Sequence, residues 1–390
     1  MIHANLENVL DQEAMRRVGV NIPNFSGDSN EPYFLMTKIP VGALNHNKGT
    51  VVGVNVAMPA FNVTEVIDSC ITIIKNEYKI TTKQLAKILV GPDHRLYDVD
   101  YLIDKNEWNT ILETGQGVIL NRATFKMEDD SMIITAIPYL TDIEGFIENV
   151  YKMNDKFIKK YNRRSIIKKV IDISDDNLAI KITFANTGKK ENEINEEFIK
   201  SLITKTMTKI YFKTRVCEQI DNEAPSMSDG STYVVRDIGM REILVHHQVK
   251  RKEYKLKALL LKIKELEMDL SCEDLKLMIA NDSTKFFKLL AESTTTKEAI
   301  TNVAKAYKKE EEIARRVIES SFGAFVNKQE KIKASIERIK KDMDETNNKI
   351  KNIDEYLISE LENLKSKIGR KRTSHIVEYF NVGIENLKDE

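Results

Sequence analysis

The chain has 390 residues, enough for two or three domains with separate cores. Its 60 basic and 60 acidic residues cancel, which excludes a global field that would recruit nucleic acid, so any such contact must come from a local patch. Charged residues reach 31%, Gly and Pro are few, and apolar runs such as Ala258–Leu261 are far too short to span a membrane, so the composition is that of a helix-rich globular protein. Cys70, Cys217 and Cys272 show no metal-ligand spacing and point to a reduced, cytoplasmic setting. Richness in Ile, Lys and Asn suggests an AT-rich genome, such as that of a phage or a low-GC bacterium.

All seven prolines lie at or before Pro225, which separates a punctuated first part from a nearly unbroken helical second part. Residues 1–22 read as a helix and Asn24–Asn30 as a loop. The stretch from Met36 to Val66 then packs prolines, glycines, Lys38 and Lys48 together, and ends at a helix N-cap, Asn62, with Glu65 placed for a capping box. Thr81-Thr82 opens a further helix that Gly91-Pro92 stops. Alternation on both sides of Glu128–Ser131 predicts a hairpin, followed by a helix over 141–160. A second hairpin is expected from Ile166–Ile173 and Leu178–Phe184, and another strand at 208–219.

A long helix is expected from Val235 to Leu270, basic in its first half at Lys250, Arg251, Lys252, Lys255 and Lys257, with shorter helices over 271–322. In the last helix, Ile332, Ile336, Ile339, Met343, Thr346, Ile350, Ile353 and Leu357 alternate steps of four and three, and Leu361, Leu364 and Ile368 continue after a one-step shift. That stripe spans roughly 55 Å at about 1.5 Å per residue. The fold class is therefore α+β: an α/β domain (tower-like, in the resemblance described below), then a long antiparallel coiled-coil arm with a small helical globule. Boundaries are expected at 1–69 (loop and flanking helices), 70–232 (α/β domain), 233–270 with 326–369 (arm), 271–325 (globule) and 370–390 (tail).

Met36-Thr-Lys-Ile-Pro40, Asn45-His-Asn-Lys-Gly-Thr-Val-Val-Gly-Val54 and Pro59-Ala-Phe-Asn-Val-Thr-Glu-Val66 follow one another in a set order. Gly91-Pro-Asp93, Thr114-Gly-Gln-Gly-Val118, Ile137-Pro-Tyr139, Ile243–Lys252, Tyr356–Leu361 and Ile368-Gly-Arg-Lys-Arg-Thr373 come after them. In order and spacing these segments resemble the A subunits of type IIA DNA topoisomerases: those of gyrase and topoisomerase IV, and the medium subunit of T-even phage topoisomerases. The resemblance covers most of residues 1–375. It implies a DNA-bound homodimeric isomerase that works with a B-type subunit carrying the TOPRIM and ATPase domains. Mg2+ and ATP would sit on that partner, with no cofactor or metal held by this chain.

It also implies DNA contact by Lys38, Asn45, His46, Lys48, Gly49, Thr50 and Val51. Gly49 and Gly53 would let the backbone approach phosphates that Lys38 and Lys48 neutralise. Thr50 stands where the family places a DNA-wedging isoleucine, and Val51 could replace it only through a shifted loop. Phe286, Phe287, Leu290, Ile318 and Phe322, with Leu289, Val317 and Phe325, are expected at a dimer contact, or else in the globule's own core. The basic start of the arm is expected to be a solvated face with acidic partners such as Glu253, or else to meet transported DNA. His246-His247 and Trp108 are expected to be structural. The family's nucleophilic tyrosine lies in an Arg-Tyr-Thr-like winged-helix segment ahead of the Met36–Pro40 turn. No Arg-Tyr dipeptide occurs in residues 1–390, so no catalytic residue is assigned here. A separate winged-helix polypeptide is expected to supply the tyrosine. The competing expectations are a non-catalytic DNA clamp and a coiled-coil dimer that does not bind DNA.

Overall fold

The computed structural model describes residues 7–24, 26–51, 54–94, 98–128, 130–139, 141–162, 165–175, 177–185, 189–219, 233–320 and 329–378. The chain divides into two compact units, one of residues 1–10, 37–249 and 360–390, the other of residues 11–36 and 250–359.

Early in the chain, Leu10 bridges to Thr37 and Asp11 caps a short helix, α1 (Gln12–Val18), by accepting from the Ala14 N–H. The expected helix over 1–22 is thus broken: Asn21–Pro23 is a strand, β1, paired with β2 (Asn30–Pro32) across the Asn24–Asn30 turn. Next, β3 (Asn47–Val51) and β4 (Val54–Met58) form a hairpin where a loop was expected. Asn62 caps α2 (Val63–Lys75) as expected, accepting from Thr64 and Glu65, and the helix buries Val66, Ile67, Cys70, Ile73 and Ile74. The Glu65 carboxylate does not close the capping box, because Arg372 takes it. The capping box forms instead at Thr81 and Gln84, at the start of α3 (Thr82–Ala86).

The remaining elements of the first part are β5 (Asp100–Ile103), α4 (Lys105–Thr114), β6 (Gln116–Arg122), β7 (Thr124–Glu128), β8 (Ser131–Ala136), α5 (Ile143–Tyr161), β9 (Ile167–Asp172), β10 (Ile180–Phe184), α6 (Lys189–Lys205), β11 (Thr208–Lys213), β12 (Arg215–Gln219) and β13 (Tyr233–Asp237). A six-stranded sheet has the order β14-β5-β6-β11-β4-β3, with β14 (His375–Glu378) parallel to β5 and the other neighbours antiparallel. Trp108 anchors its buried face, donating Nε1–H to the Leu89 carbonyl and meeting the Phe212 ring edge-on. Gly115 ends α4 in the left-handed region at φ 73°, and a Cβ there would meet the Ile238 carbonyl oxygen at 2.0 Å, so only glycine fits. The second sheet, β7-β8-β10-β9, contains both expected hairpins. It packs Met132, Ile134, Ile180 and Ile182 with Phe146, Phe157 and Phe198.

The helical part comprises α7 (Met240–Asn281), α8 (Ser283–Ala291), α9 (Thr296–Tyr307), α10 (Glu311–Ile318), α11 (Gln329–Lys351) and α12 (Ile353–Ile368). α7 starts later and ends later than expected, since Val235 lies in β13 and no breaker follows Leu270 before Asp282. Within the second unit, Lys252 pairs with Asp354 and Gln329 bonds Asn281, so α7 runs antiparallel to the α11–α12 pair. Of the heptad positions, Ile332, Ile336, Ile339, Thr346, Ile353 and Leu357 are buried. α8, α9 and α10 close over the end of α7 with a core of Leu275, Ile279, Phe286, Val303, Ala314 and Val317.

Candidate nucleic-acid interface

The β3–β4 hairpin forms one edge of the six-stranded sheet. Lys48 pairs with Ala57, Ala57 with Lys213 of β11, and Lys213 with Gln116 of β6. Paired residues on neighbouring strands share a face. Lys48 and Thr50 are therefore on the same face as Lys213, Tyr211 and Lys209, while Ile210 and Phe212 are buried on the other. Lys48, Thr50, Lys209 and Tyr211 are exposed and Lys213 is half-buried. Among the described residues none of the three lysines has a carboxylate partner. A Cβ on Gly49 would meet nothing within 4 Å, so the protein's own packing does not require glycine there.

His46, just before β3, meets the Tyr139 ring edge-on at 5.0 Å, and His94 approaches the same ring at 6.1 Å. Burial lowers the His46 pKa and nearby Lys48 lowers it further, opposed by a hydrogen bond with the Met58 backbone. Burial also lowers the His94 pKa, with Asp93 opposing and Arg370 reinforcing the shift. The Tyr139 phenol is pushed above its ordinary pKa by burial, and its oxygen has no hydrogen-bond partner among the described residues. Asp93, which is buried, accepts from the Thr373 and Ser374 N–H groups and the Asn62 amide, and pairs with Arg370 at 2.7 Å. Arg372 holds Glu65 through two bonds of 2.6 and 2.7 Å and donates to the carbonyls of Gly91 and Pro92. The Gly91–Asp93 and Arg370–Thr373 segments thus hold one another and the start of α2.

Residues 6–362 match the family model for the A subunit of DNA gyrase/topoisomerase IV. The chain belongs to this family. Over 129 residues it is 34% identical to the A subunit of DNA topoisomerase 4 from Escherichia coli K12, covering 33% of the chain and 17% of that protein. It is 29% identical over 199 residues to the DNA gyrase A subunit of Thermotoga maritima, covering 50% of the chain and 23% of that protein. Against the DNA gyrase A subunit of Synechocystis it is 32% identical over 147 residues, covering 35% and 17%. In each case the match spans less than a quarter of the relative's length.

Among the residues that the resemblance to the gyrase/topoisomerase IV A subunits marked for DNA contact, Asn45, His46, Lys48, Gly49 and Thr50 gather at the hairpin and its entry. Val51 is in β3 opposite Val54, and Gly53 lies outside the described residues. Lys38 is elsewhere: it is half-buried, and its ammonium donates to the Asn8 carbonyl at 2.9 Å. Of the residues marked for a dimer contact, Phe286 and Val317 are in the globule's core, and Leu289, Leu290 and Ile318 pack against it. Phe287 is 44% exposed, and Phe322 and Phe325 lie outside the described residues. His247 bonds Thr37 and Gln248, apart from any ligand set. Lys209, Tyr211 and Lys213 escaped notice. Their signal is the period-two alternation Lys-Ile-Tyr-Phe-Lys, which turns these three residues outward wherever Ile210 and Phe212 turn inward.

Proposed function

We propose that this chain is the DNA-binding and dimerising core of a type IIA DNA topoisomerase, which breaks a duplex and passes another through it. The observation that carries this reading is the hairpin: Lys48, with no carboxylate partner among the described residues, beside the openly placed Gly49, within the stretch matched to the family. β3 and β4 would set the floor for a bent segment, with Thr50 in β3 opposite Asn55. α7 with α11 and α12 would serve as the coiled-coil arm, and Phe287 on α8 as a contact with a second copy. No Arg-Tyr dipeptide occurs in residues 1–390, so in this reading the attacking tyrosine belongs to a winged-helix segment that these residues do not include. Among the described residues no three His, Cys, Asp or Glu side chains gather as metal ligands. In this reading the divalent ion and ATP belong with the B-type partner. The chain would act in the bacterial or infected-cell cytoplasm, on DNA.

The test mixes the chain with a tyrosine-bearing winged-helix polypeptide and a B-type subunit, then reads covalent protein–DNA adduct and relaxation. Adduct only when all three are present supports the split assembly. Tight duplex binding with no adduct under any mixture would leave the non-catalytic clamp. Thr50 in the wedging position favours that second reading, because a hydroxyl and one methyl reach less far into a base step than isoleucine.

A further inference from the structure

We propose that the open face of β3, β4 and β11 grips a DNA duplex across a groove, with Lys209 and Lys213 on the phosphates at its two rims and Tyr211 reaching between them. The inference rests on reading the hairpin as a duplex contact, and carries that contact onto a strand outside every family motif quoted above.

The three strands read Asn-Lys-Gly-Thr-Val, Val-Asn-Val-Ala-Met and Thr-Lys-Ile-Tyr-Phe-Lys, and contain no acidic residue. Their lysines therefore present positive charge that nothing on the strands cancels, in a chain whose net charge is zero. Four residues of strand separate Lys209 from Lys213 by about 13 Å at roughly 3.3 Å each. The major groove of a duplex is about 12 Å wide, so two lysines at this separation meet phosphates on opposite rims. Tyr211 stands midway and is 59% exposed, the most exposed of the large hydrophobic side chains among the described residues. Its apolar ring and hydroxyl tip suit a groove floor of base edges. Ala57 lies between Lys213 and Lys48 in register, and its small side chain leaves a trough about 10 Å across, two strand spacings, that joins this strand to the hairpin.

Fluorescence anisotropy of the full chain on a labelled duplex and on the matching single strand, titrated with salt, tests the assignment. Each lost phosphate contact shallows the log–log salt slope by about 0.9 on a duplex. The K209A/K213A double variant should therefore lower the slope by about two, with an unchanged circular dichroism spectrum. Tyr211→Ala should weaken duplex binding a few-fold without changing the slope, and Tyr211→Phe, which keeps the apolar ring, should restore most of it. Lys48→Ala reads the hairpin separately. If K48A shallows the slope and K209A/K213A does not, the hairpin reading stands and this inference falls. A preference of the unaltered chain for the single strand also overturns it. If the unaltered chain binds neither, both readings fall together.

Discussion

Two basic regions of this chain look alike in the sequence and differ in kind once folded. In the first half of α7, Lys250 and Lys257 flank Glu253 at 3.0 and 2.9 Å, and Lys252 meets Asp354 at 2.8 Å. Lys255 is 2% exposed against both oxygens of Asp11, and Arg251 is buried. Almost every charge there is consumed inside the unit that carries it. On β3 and β11, by contrast, Lys48, Lys209 and Lys213 face outward with no carboxylate on their strands. The difference follows from period. A helix brings residues three and four apart together, so one glutamate serves two lysines. A strand separates its two faces, so outward lysines have only cross-strand neighbours, and here those are Ala57, Gln116 and Leu120. A dense run of lysines on a helix can thus be matched by its own acidic neighbours, as the expected partner Glu253 is here.

The largest effect should come from Lys255. Lys255→Ala leaves the Asp11 carboxylate buried without its partner and should cost about 3–5 kcal/mol, seen as a lower denaturation midpoint. Lys209→Ala on the open face should change stability by less than about 0.5 kcal/mol. Equal midpoints for the two variants would erase the distinction drawn here. Next comes Arg372, in a third basic cluster near the chain's end. Arg372→Ala removes four charge-assisted bonds to Glu65, Gly91 and Pro92, and should cost about 2–3 kcal/mol. Because that guanidinium serves the fold, its loss should leave the salt slope of DNA binding unchanged. A shallower slope for this variant would move Arg370–Arg372 into the contact surface.

Much of this architecture could be read from residue pattern. Turn chemistry at Glu128–Ser131 and Ser174–Asn177 placed two hairpins, and the Ile332–Leu364 stripe marked a long buried seam, because both signals are local and repeat. The β3–β4 hairpin was missed because Gly49 and Thr50 look like loop residues, and only pairing with β4, itself held by β11, makes an edge strand of them. Phe286 and Phe287 are adjacent and alike, yet a helix turns successive residues by about 100°, so one enters the core and the other remains exposed. Lys38 looked equivalent to Lys48 from composition alone. Only the return of the chain past Asn8 shows that its ammonium is already engaged. For Lys38 and for the β11 face, what escaped the sequence was a partner distant along the chain.

The smallest effect should distinguish the open face by pH. His46 lies at the entry to the hairpin, where burial and Lys48 hold its pKa below the usual imidazole value. In the free chain it is therefore neutral at pH 7. Phosphate brought beside it favours the imidazolium, so its pKa in the complex is higher than in the free chain. Binding then takes up a proton, and linkage requires affinity to rise as pH falls through the pKa of the complex, levelling off below that of the free chain. Between about pH 7.5 and 6 the gain should be a few-fold, and His46→Gln should flatten the profile while keeping the salt slope at pH 7.5. His94, buried beside Tyr139 with its pKa also lowered, serves as the control. If His94→Gln flattens the profile and His46→Gln does not, the proton-linked contact lies at the Asp93 junction and not at the hairpin.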